Sequence, residues 1–292
     1  MKAVALDESR SPDTTQQTLT VDRRLEQKAT AIRIDIVKML NFARSGHTGG
    51  SLSCVEILVE LFYEQMRHDP GNPALPSRDR FILSKGHAAP ALYAVLADAG
   101  YFDKKELLTL RKLGTVLQGH PDSKKTRGIE VSTGSLGQGL SMGVGMALGL
   151  RIDRLDSRVY VLLGDGELQE GQVWEAAMSS AHYGLDNICA IVDRNGLQID
   201  GAVEDIMNIE PLPDKWKGFG WNVITVDGHS FPSLRSAFRV ARSVQGKPTV
   251  IIAKSLKGKG VSLFENKVHY HGVPPTDEEL KIALEELTSC GR

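Results

Sequence analysis

The sequence predicts an α/β fold in which a doubly wound, mostly parallel sheet is flanked by helices. Short apolar segments typical of buried parallel strands occur at five positions, Phe81, Val159, Ile188, Val223 and Val250. Segments with helical periodicity, such as 174–183 and 234–243, separate them. Two of the strands run into polar, glycine-containing turns. Because ligands of open parallel sheets bind beyond the carboxyl ends of the strands, we expect the binding site there.

Composition narrows the class of protein. The chain has 292 residues, 41% of them hydrophobic and 24% charged, which suffices for one large globular domain. A net charge of -1 gives no reason to expect nucleic acid or an anionic membrane as a partner. Three widely spaced thiols, Cys54, Cys189 and Cys290, have neither metal-type clustering nor an even count. We therefore expect a cytoplasmic protein without zinc or disulfides.

The first elements are two helices. Residues 1–21 are polar, lack the apolar core of a secretion signal and predict a flexible N-terminal arm, so the domain is expected to span 22–292. Residues 22–43 carry Leu25, Ile32 and Leu40 on one helical face. A Gly-rich loop, 44–50, then leads to an amphipathic helix over 54–65.

The later helices have distinct signatures. An alanine-rich helix, 88–99, follows the strand at Phe81. The apolar segment 136–150 contains five glycines and is shorter than the roughly 20 residues that a bilayer requires, so it predicts a buried helix instead. Thr276 and Glu279 are spaced as a capping box for a last helix that runs to Leu287.

The strands at Val159 and Ile188 end in polar turns that suit a hard cation. Asp165 lies between Gly164 and Gly166 after the first strand, and Asn195 follows the second. Mg²⁺ takes about six oxygen ligands at roughly 2.1 Å and often only one or two from side chains. Glycines without a Cβ allow the sharp turn and let a phosphate group approach the backbone. Such a tripeptide alone also occurs in plain strand-to-helix turns, and the paired strand endings favour the metal site.

Three histidines, His47, His87 and His120, lie in Gly-flanked loops and not on an apolar stripe. Together at one crevice they would bind phosphate or sugar hydroxyls and transfer protons near neutral pH. The alternative for each is a surface or capping residue.

The charged candidates have two interpretations each. Glu167, Glu170 and Glu175 follow the metal turn, where they either stabilise a helix N-terminus by about 0.3 to 1 kcal/mol each or, for Glu170 and Glu175, share protons with a partner carboxylate. Basic residues at 124–127 and at 254–259 either meet an anionic ligand or are simply solvated.

These segments, in this order, resemble the amino-terminal, diphosphate-binding domain of transketolase, and the resemblance covers residues 22–287. The matching motifs are Ser45-Gly46-His47-x-Gly49-Gly50-Ser51, Ser84-Lys85-Gly86-His87, Gly119-His120-Pro121, Thr133-Gly134-Ser135-Leu136-Gly137-Gln138-Gly139, Gly164-Asp165-Gly166-x-x-Gln169-Glu170-Gly171 and Asp193-x-Asn195-x-Leu197-x-Ile199-Asp200-Gly201.

The resemblance implies roles for individual residues. Asp165, Asn195 and the backbone carbonyl of Leu197 would ligate a divalent cation, Mg²⁺ or alternatively Ca²⁺ or Mn²⁺, that bridges the diphosphate of thiamine diphosphate. Gly166 and His87 would contact the diphosphate, and Gly134 and Leu136 would flank the aminopyrimidine. His47 and His120 would bind and polarise the ketose oxygens. Glu170 and Glu175 would link the two cofactor sites of a dimer.

Two positions depart from the family pattern. Thr48 stands where the family usually has proline, which we expect to loosen the turn that holds His47. The segment Lys267-Val268-His269-Tyr270-His271-Gly272 resembles the region of a further diphosphate-contacting histidine, for which either His269 or His271 qualifies. We favour His269.

The resemblance also implies a partner. Full-length transketolases continue into a pyrimidine-binding domain and a third domain, so we expect a separate C-terminal subunit, assembled with this chain as a dimer of heterodimers. The expected reaction is transfer of a two-carbon ketol unit from a ketose to an aldose, with sugar phosphates of the pentose phosphate pathway as the default substrates. The alternatives are the α subunit of a 2-oxo acid dehydrogenase and a non-catalytic, transketolase-like regulatory subunit.

Overall fold

The computed structural model describes residues 12–289, and within them the predicted parallel sheet is present. It has five strands, all of them parallel to their neighbours, in the order β1-β2-β3-β5-β4. The strands are β1 (Arg80–Leu83), β2 (Val159–Gly164), β3 (Ile188–Arg194), β4 (Asn222–Asp227) and β5 (Thr249–Lys254). The order places the second and third strands at the centre of the sheet, where the predicted metal turns follow them.

Helices precede, connect and follow the strands. Their bounds are α1 (Pro12–Ala43), α2 (Thr48–Leu52), α3 (Val55–Glu60), α4 (Ala89–Asp98), α5 (Gln138–Ile152), α6 (Gly171–His182), α7 (Val203–Ile206), α8 (Leu212–Gly218), α9 (Phe231–Ser243) and α10 (Asp277–Ser289). A π-helical turn, Leu61–Gln65, extends α3 to the predicted end of that helix. Short 3₁₀ turns, Gly86–Ala88, Lys104–Thr109, Gly166–Gln169 and Val268–His271, lie in the connections.

Both faces of β1, β2, β3 and β5 are buried, as the uninterrupted apolar strands predict, whereas the edge strand β4 is partly exposed. Alternate residues of β2 enter different cores: Tyr160 and Leu162 pack with α1, α3, α4, α9 and α10, whereas Val161 and Leu163 pack with α5, α6 and α8. Side chains of successive strand residues point to opposite faces, so one strand supplies both cores. The α/β prediction is confirmed, with helices on both sides of the sheet.

The first helix begins earlier than the sequence pattern indicates. α1 starts at Pro12, so the second half of the predicted arm, 12–21, is helical, while residues 1–11 lie outside the described residues. Propagating an existing helix adds one hydrogen bond for each residue that is fixed, so a polar sequence can continue a helix anchored further along. Polarity alone predicted an arm because it carries little information on helix extension.

The other predicted helices are present, but α2 begins within the predicted loop 44–50, and neither α7 nor α8 was predicted from the sequence. The Gly-rich segment 138–152 forms α5, whose Gly143 lies so close to the sheet that a Cβ would come within 2.7 Å of Val161. The capping box of α10 is present in both directions: Thr276 N–H donates to Glu279 Oε2 at 2.8 Å and Glu279 N–H donates to Thr276 Oγ1 at 3.2 Å. Among the described helices, none has both the length and the apolar character to cross a membrane.

Candidate active site

Asp165 and Asn195 follow the two central strands directly. Gly164, the last residue of β2, pairs in register with Asp193 of β3, so the two strands end side by side. Both residues line a cavity of about 320 Å³ at the carboxyl edge of the sheet. The structure therefore brings together the two side chains that the sequence predicted as neighbours, in the crevice that open parallel sheets use for ligands.

Hydrogen bonds fix the orientation of both side chains. Asp165 is almost completely buried; its Oδ1 accepts from Gly166 N–H at 2.8 Å, and its Oδ2 accepts from Gly196 N–H at 2.6 Å and from Arg194 Nη1 at 3.0 Å. Asn195 Oδ1 accepts from Leu197 N–H at 3.2 Å. Burial, with a further contribution from nearby Asp193, raises the pKa of Asp165.

The donor set fits a hard cation. One carboxylate, one amide oxygen and the carbonyl of Leu197 are the oxygen ligands that Mg²⁺ prefers. The Leu197 carbonyl accepts from Lys257 Nζ at 3.0 Å, so a positive charge already lies at this oxygen. Within residues 12–289 no group of three or more His, Cys, Asp or Glu side chains is arranged to hold a metal. A divalent cation here would complete its ligands with phosphate oxygens or water.

Backbone at Gly166 allows close packing beside these ligands. A Cβ on Gly166 would lie 2.9 Å from the Cβ of Gln198, and both residues line the cavity. Two other loops approach each other equally closely: a Cβ on Gly86 would lie 2.8 Å from the backbone nitrogen of Gly134. Glycine at these positions keeps the loops near enough for backbone groups to reach a shared ligand.

A buried ion pair lies behind the Gly164-Asp165-Gly166 turn. Lys85 Nζ donates to Asp193 Oδ2 and to the carbonyl of Gly50 at 2.9 Å, and both charged side chains are fully buried. Burial alone would raise the pKa of Asp193, but the Lys85 ammonium and hydrogen bonds from Ser53 and Ser255 hold it below its ordinary value. Asn195 Nδ2 also donates to Asp193, at 3.2 Å. The pair thus supports a predicted metal ligand from behind.

Lys257 brings a second cation into the cavity. Its side chain is 1% exposed, and its Nζ lies 2.7 Å from His271 Nδ1. Burial, together with the charge of Lys85, lowers the pKa of Lys257 to about 8. Of the basic residues at 254–259, Lys254 is exposed and Lys259 lies 3.6 Å from Glu265, so only Lys257 among these lysines faces the cavity.

The geometry favours His271 over His269 as the histidine at the cavity. His271 lines the cavity and its ring stacks on His87, with centroids 5.3 Å apart. His269 is not among the lining residues, and its ring packs edge-on against Tyr270. Both histidines lie in a 3₁₀ turn, Val268–His271, in which their side chains have different surroundings. The sequence alone does not indicate this turn.

The three predicted loop histidines lie together beside the cavity. His47 lies 5.2 Å from His87 and 6.4 Å from His120 between ring centroids, and His87 lines the cavity. Burial and the charge of Arg111 lower the pKa of His47 to about 4. Burial and the charge of Lys85 hold the pKa of His87 well below its ordinary value, and burial and Arg111 also lower that of His120. At neutral pH these rings are uncharged and both donate and accept hydrogen bonds.

Thr48 does not loosen the turn at His47. Its side chain is buried, and its Oγ1 donates to the carbonyl of Val273 at 2.7 Å. Ser51 Oγ donates to the carbonyl of His47 itself, at 2.6 Å. These two hydrogen bonds tie the turn to the segment at Val273 and to the start of α2.

Glu167 links three of the sequence motifs. Its buried carboxylate accepts from Ser84 Oγ, from Gly137 N–H at 2.9 Å and from Gly164 N–H at 3.0 Å. Burial raises its pKa, and these donors act in the opposite direction. The simpler interpretation of Glu167 is that its charge stabilises a helix N-terminus. The structure shows instead a buried carboxylate that accepts hydrogen bonds from three different segments.

The other predicted residues differ in whether they line the cavity. Leu136 and Glu170 line the cavity, whereas Glu175 lies exposed on α6 and does not. Gly134 has φ +146° and a Cβ on it would touch the His120 ring at 3.0 Å, so it supports that histidine loop from behind. In the basic segment 124–127, Arg127 donates to the carbonyls of Pro70 and Gly71 and lies outside the cavity.

Sequence reasoning named the candidate ligands of the site but missed several residues that hold them in place. Lys85 and Asp193 lie within the recognised motifs but received no role, and Glu167 was assigned only to a helix N-terminus. A signal was present for Asp193, because a carboxylate at the end of the apolar run Ile188–Val192 requires a buried partner. Arg194, whose guanidinium also contacts Glu204 and Glu210, had no such signal.

Comparisons with known proteins give a single family. The family model described as transketolase, thiamine diphosphate binding domain, matches residues 24–288. The chain is 46% identical over 267 residues to the 6-deoxy-6-sulfo-D-fructose transketolase subunit SqwG of Clostridium sp. (strain MSTE9), covering 91% of this chain and 97% of that protein. It is 42% identical over 264 residues to a subunit of the apulose-4-phosphate transketolase of Phocaeicola vulgatus, covering 90% of this chain and 94% of that protein.

A solved structure has the same fold. The crystal structure of transketolase from Campylobacter jejuni superposes with a TM-score of 0.86 at 34% identity, over 90% of this chain. The match covers 42% of the Campylobacter jejuni chain, so the present chain spans about two fifths of that protein.

Proposed function

The chain belongs to the transketolase family, and we propose that it is the cofactor-binding subunit of a two-chain transketolase that uses Mg²⁺ with thiamine diphosphate. The unit that binds the cofactor is residues 22–292. The observation that supports this most directly is the convergence of Asp165, Asn195 and Leu197 on one cavity at the carboxyl ends of β2 and β3. We place the enzyme in the cytoplasm, consistent with the buried free thiols of Cys54 and Cys189.

The residues around the cavity suit a metal-bound diphosphate. Asp165, Asn195 and the Leu197 carbonyl would hold the cation, and Gly166 leaves room for the phosphate oxygens beside it. Lys257 supplies positive charge, and His87 and His271 supply donors. Leu136 offers an apolar surface in the same cavity, and Gly134 shapes the adjoining loop. The bound cofactor supplies the carbon nucleophile that breaks and remakes the carbon–carbon bond of the sugar.

His47 and His120 are proposed to bind the ketose oxygens. Nδ1 of His47 is buried and, within the described part of the chain, has no hydrogen-bond partner. A buried polar atom of this kind is costly unless a ligand or water satisfies it, so the substrate is a natural partner. Because both rings are neutral near pH 7, they can donate to a carbonyl oxygen and accept a hydroxyl proton in the same cycle.

A second polypeptide is proposed to complete the site. Three large apolar side chains are exposed: Ile199, which lines the cavity, at 62%, Met207 at 62% and Met178, on α6, at 60%. They form a surface suited to a partner that carries the pyrimidine-binding domain. Glu170 and Glu175 would then face the partner and link two cofactor sites in a dimer of heterodimers. The coverage of the two relatives that are themselves named subunits, 97% and 94% of their lengths, supports a separate partner chain.

The substrates are proposed to be sugars with an anionic end. The Clostridium relative is named for 6-deoxy-6-sulfo-D-fructose and the Phocaeicola relative for apulose 4-phosphate, so one name includes a sulfonate and the other a phosphate. Ketoses of the pentose phosphate pathway belong to the same class. The names of these relatives favour ketol transfer over the 2-oxo acid dehydrogenase and regulatory alternatives.

Ketol transfer measured on purified proteins tests the proposal. We expect a ketose phosphate and an aldose acceptor to react only when this chain, its partner subunit, thiamine diphosphate and Mg²⁺ are combined. A complex that binds the cofactor but turns over only 2-oxo acids would favour the dehydrogenase alternative. A complex that binds no cofactor would favour the regulatory one.

A further inference from the structure

Arg111 is an exposed cation beside the substrate-facing histidines. In the described residues its guanidinium makes no ion pair with a carboxylate, yet its charge contributes to the lowered pKa of both His47 and His120. Arg44, which also has a positive φ, differs because Asp277 neutralises it at 2.7 Å. An immobilised positive charge without a protein counter-ion is a site for an anionic ligand.

The backbone of Arg111 is held in an unfavourable conformation. Its φ is +60°, a region that residues with a Cβ rarely adopt. The buried residues Leu110 and Leu117 anchor the two ends of the loop, and Arg111 N–H donates to the carbonyl of Leu117 at 2.9 Å. Strain that the surrounding fold enforces is typical of functional positions.

The guanidinium lies between the two histidine loops. Arg111 Nη1 donates to Ser45 Oγ at 3.0 Å, two residues before His47, and Nη2 donates to the carbonyl of Gly119 at 3.3 Å, one residue before His120. A Cβ on Gly119 would lie 3.1 Å from Arg111 Cζ, so glycine there lets the planar group lie against the backbone. Guanidinium has five N–H donors, and these contacts leave the others for a ligand.

We propose that Arg111 is a substrate-binding residue that takes the anionic end of the sugar, a phosphate or sulfonate group, at the mouth of the site. The inference rests on the proposed ketol transfer and adds a specificity residue within this chain. Arginine suits the task because its fork makes two parallel hydrogen bonds to a tetrahedral oxyanion.

The test uses the complex assembled with its partner subunit. Initial rates are measured with a ketose 6-phosphate, with 6-deoxy-6-sulfofructose and with the neutral ketose erythrulose, each with glyceraldehyde as the neutral acceptor, so that every donor gives a product different from itself. We expect Arg111→Gln to raise KM for the phosphate donor, the sulfonate donor or both by about 10- to 100-fold, since hydrogen bonds to charged groups carry that weight. We expect kcat, the rates with erythrulose and cofactor affinity to stay within about twofold.

Two further variants serve as controls. Arg111→Lys keeps the charge but loses the fork, so an intermediate rise in KM is expected. Lys112→Gln removes the neighbouring exposed cation, whose Nζ lies 3.9 Å from the Phe42 ring centroid, and should leave all three donors unchanged.

The outcomes separate the inference from the function on which it rests. An equal loss of kcat with all three donors would assign Arg111 to positioning His47 and His120 and would overturn the proposal. An active complex that is indifferent to Arg111→Gln would overturn it as well. A wild-type complex that transfers ketol units from no donor would overturn the proposed function, and this inference with it.

Discussion

The ammonium group of Lys85 and the carboxylate of Asp193 form an ion pair with side chains 1% and 0% exposed, at the edge of the cavity that Lys85 helps to line. Lys85 enters from the turn after β1 and Asp193 ends the buried part of β3. The pair therefore connects the Ser-Lys-Gly-His motif to the Asp-x-Asn motif. Two segments far apart in sequence are held together by charges that have no access to water.

Removing one member of this pair should destabilise the fold. Lys85→Met leaves Asp193 buried without its cation, and we expect the free energy of unfolding to fall by about 3–5 kcal/mol. Urea unfolding followed by tryptophan fluorescence measures it. The exposed Lys105→Met is the matched control and should stay within about 0.5 kcal/mol of wild type. Equal stability of the two variants would show that the pair is dispensable.

Gly166 tests the close approach at the metal turn. In Gly166→Ala the new Cβ would meet Gln198 at 2.9 Å, so the turn must shift. We expect a loss of thiamine diphosphate affinity of about 5- to 150-fold in the assembled complex, measured by titration calorimetry, which corresponds to about 1–3 kcal/mol of overpacking. Gly171→Ala, five residues along, points into open space and should leave affinity unchanged. Tight binding by Gly166→Ala would mean that the cofactor lies elsewhere.

The pair His269 and His271 tests the assignment of His271 to the cavity. His271 faces the cavity beside Lys257, whereas His269 packs on Tyr270 outside it. We expect His271→Ala to weaken cofactor binding about tenfold, the weight of one hydrogen bond to a charged group. His269→Ala should bind within twofold of wild type. The reverse ranking would restore the preference for His269.

Stability should depend on pH through the buried histidines. The pKa of His47 falls from an ordinary 6.5 to about 4 in the folded chain, because of burial and then Arg111. Between those values only the unfolded chain binds the proton, so stability is complete above pH 6.5 and is lost as the pH falls toward 4. His47→Asn should reduce the loss between pH 7 and pH 5 by about 1 kcal/mol, allowing for partial exposure of the ring.

Urea midpoints at the two pH values measure this effect. His182→Gln, on the exposed end of α6, is the matched control and should keep the wild-type dependence. A pH dependence that His47→Asn leaves intact would assign the loss to other groups, such as His87 and His271.

The sequence predicted the parts of this site that local patterns encode. Apolar runs that end in Asp165 and Asn195 specify both the strand and the residue that follows it, so the cavity could be located before the structure. The part of α1 before Asp22 could not be predicted from local patterns, because helix propagation depends on an anchor elsewhere in the chain.

Contacts between distant segments explain the remaining differences. The turn at His47 is held by Thr48 bonding to Val273, a partner 225 residues away that no local pattern reveals. The choice of His271 depends on Lys257, which reaches it from the loop after β5. The roles of Glu167 and Arg111 likewise follow from which loops the fold brings together, and sequence spacing does not contain that information.

Cofactor binding by Asp165→Asn tests the central claim most directly. Thiamine diphosphate is titrated into the assembled complex by calorimetry, with Mg²⁺ or with EDTA, using the exposed Asp153→Asn as the matched variant. We predict metal-dependent binding by wild type and Asp153→Asn, and a loss of at least about 100-fold in Asp165→Asn, as removal of a charged ligand implies. Equal affinity of Asp165→Asn, or full affinity of wild type in EDTA, would contradict a metal-bridged diphosphate at the ends of β2 and β3.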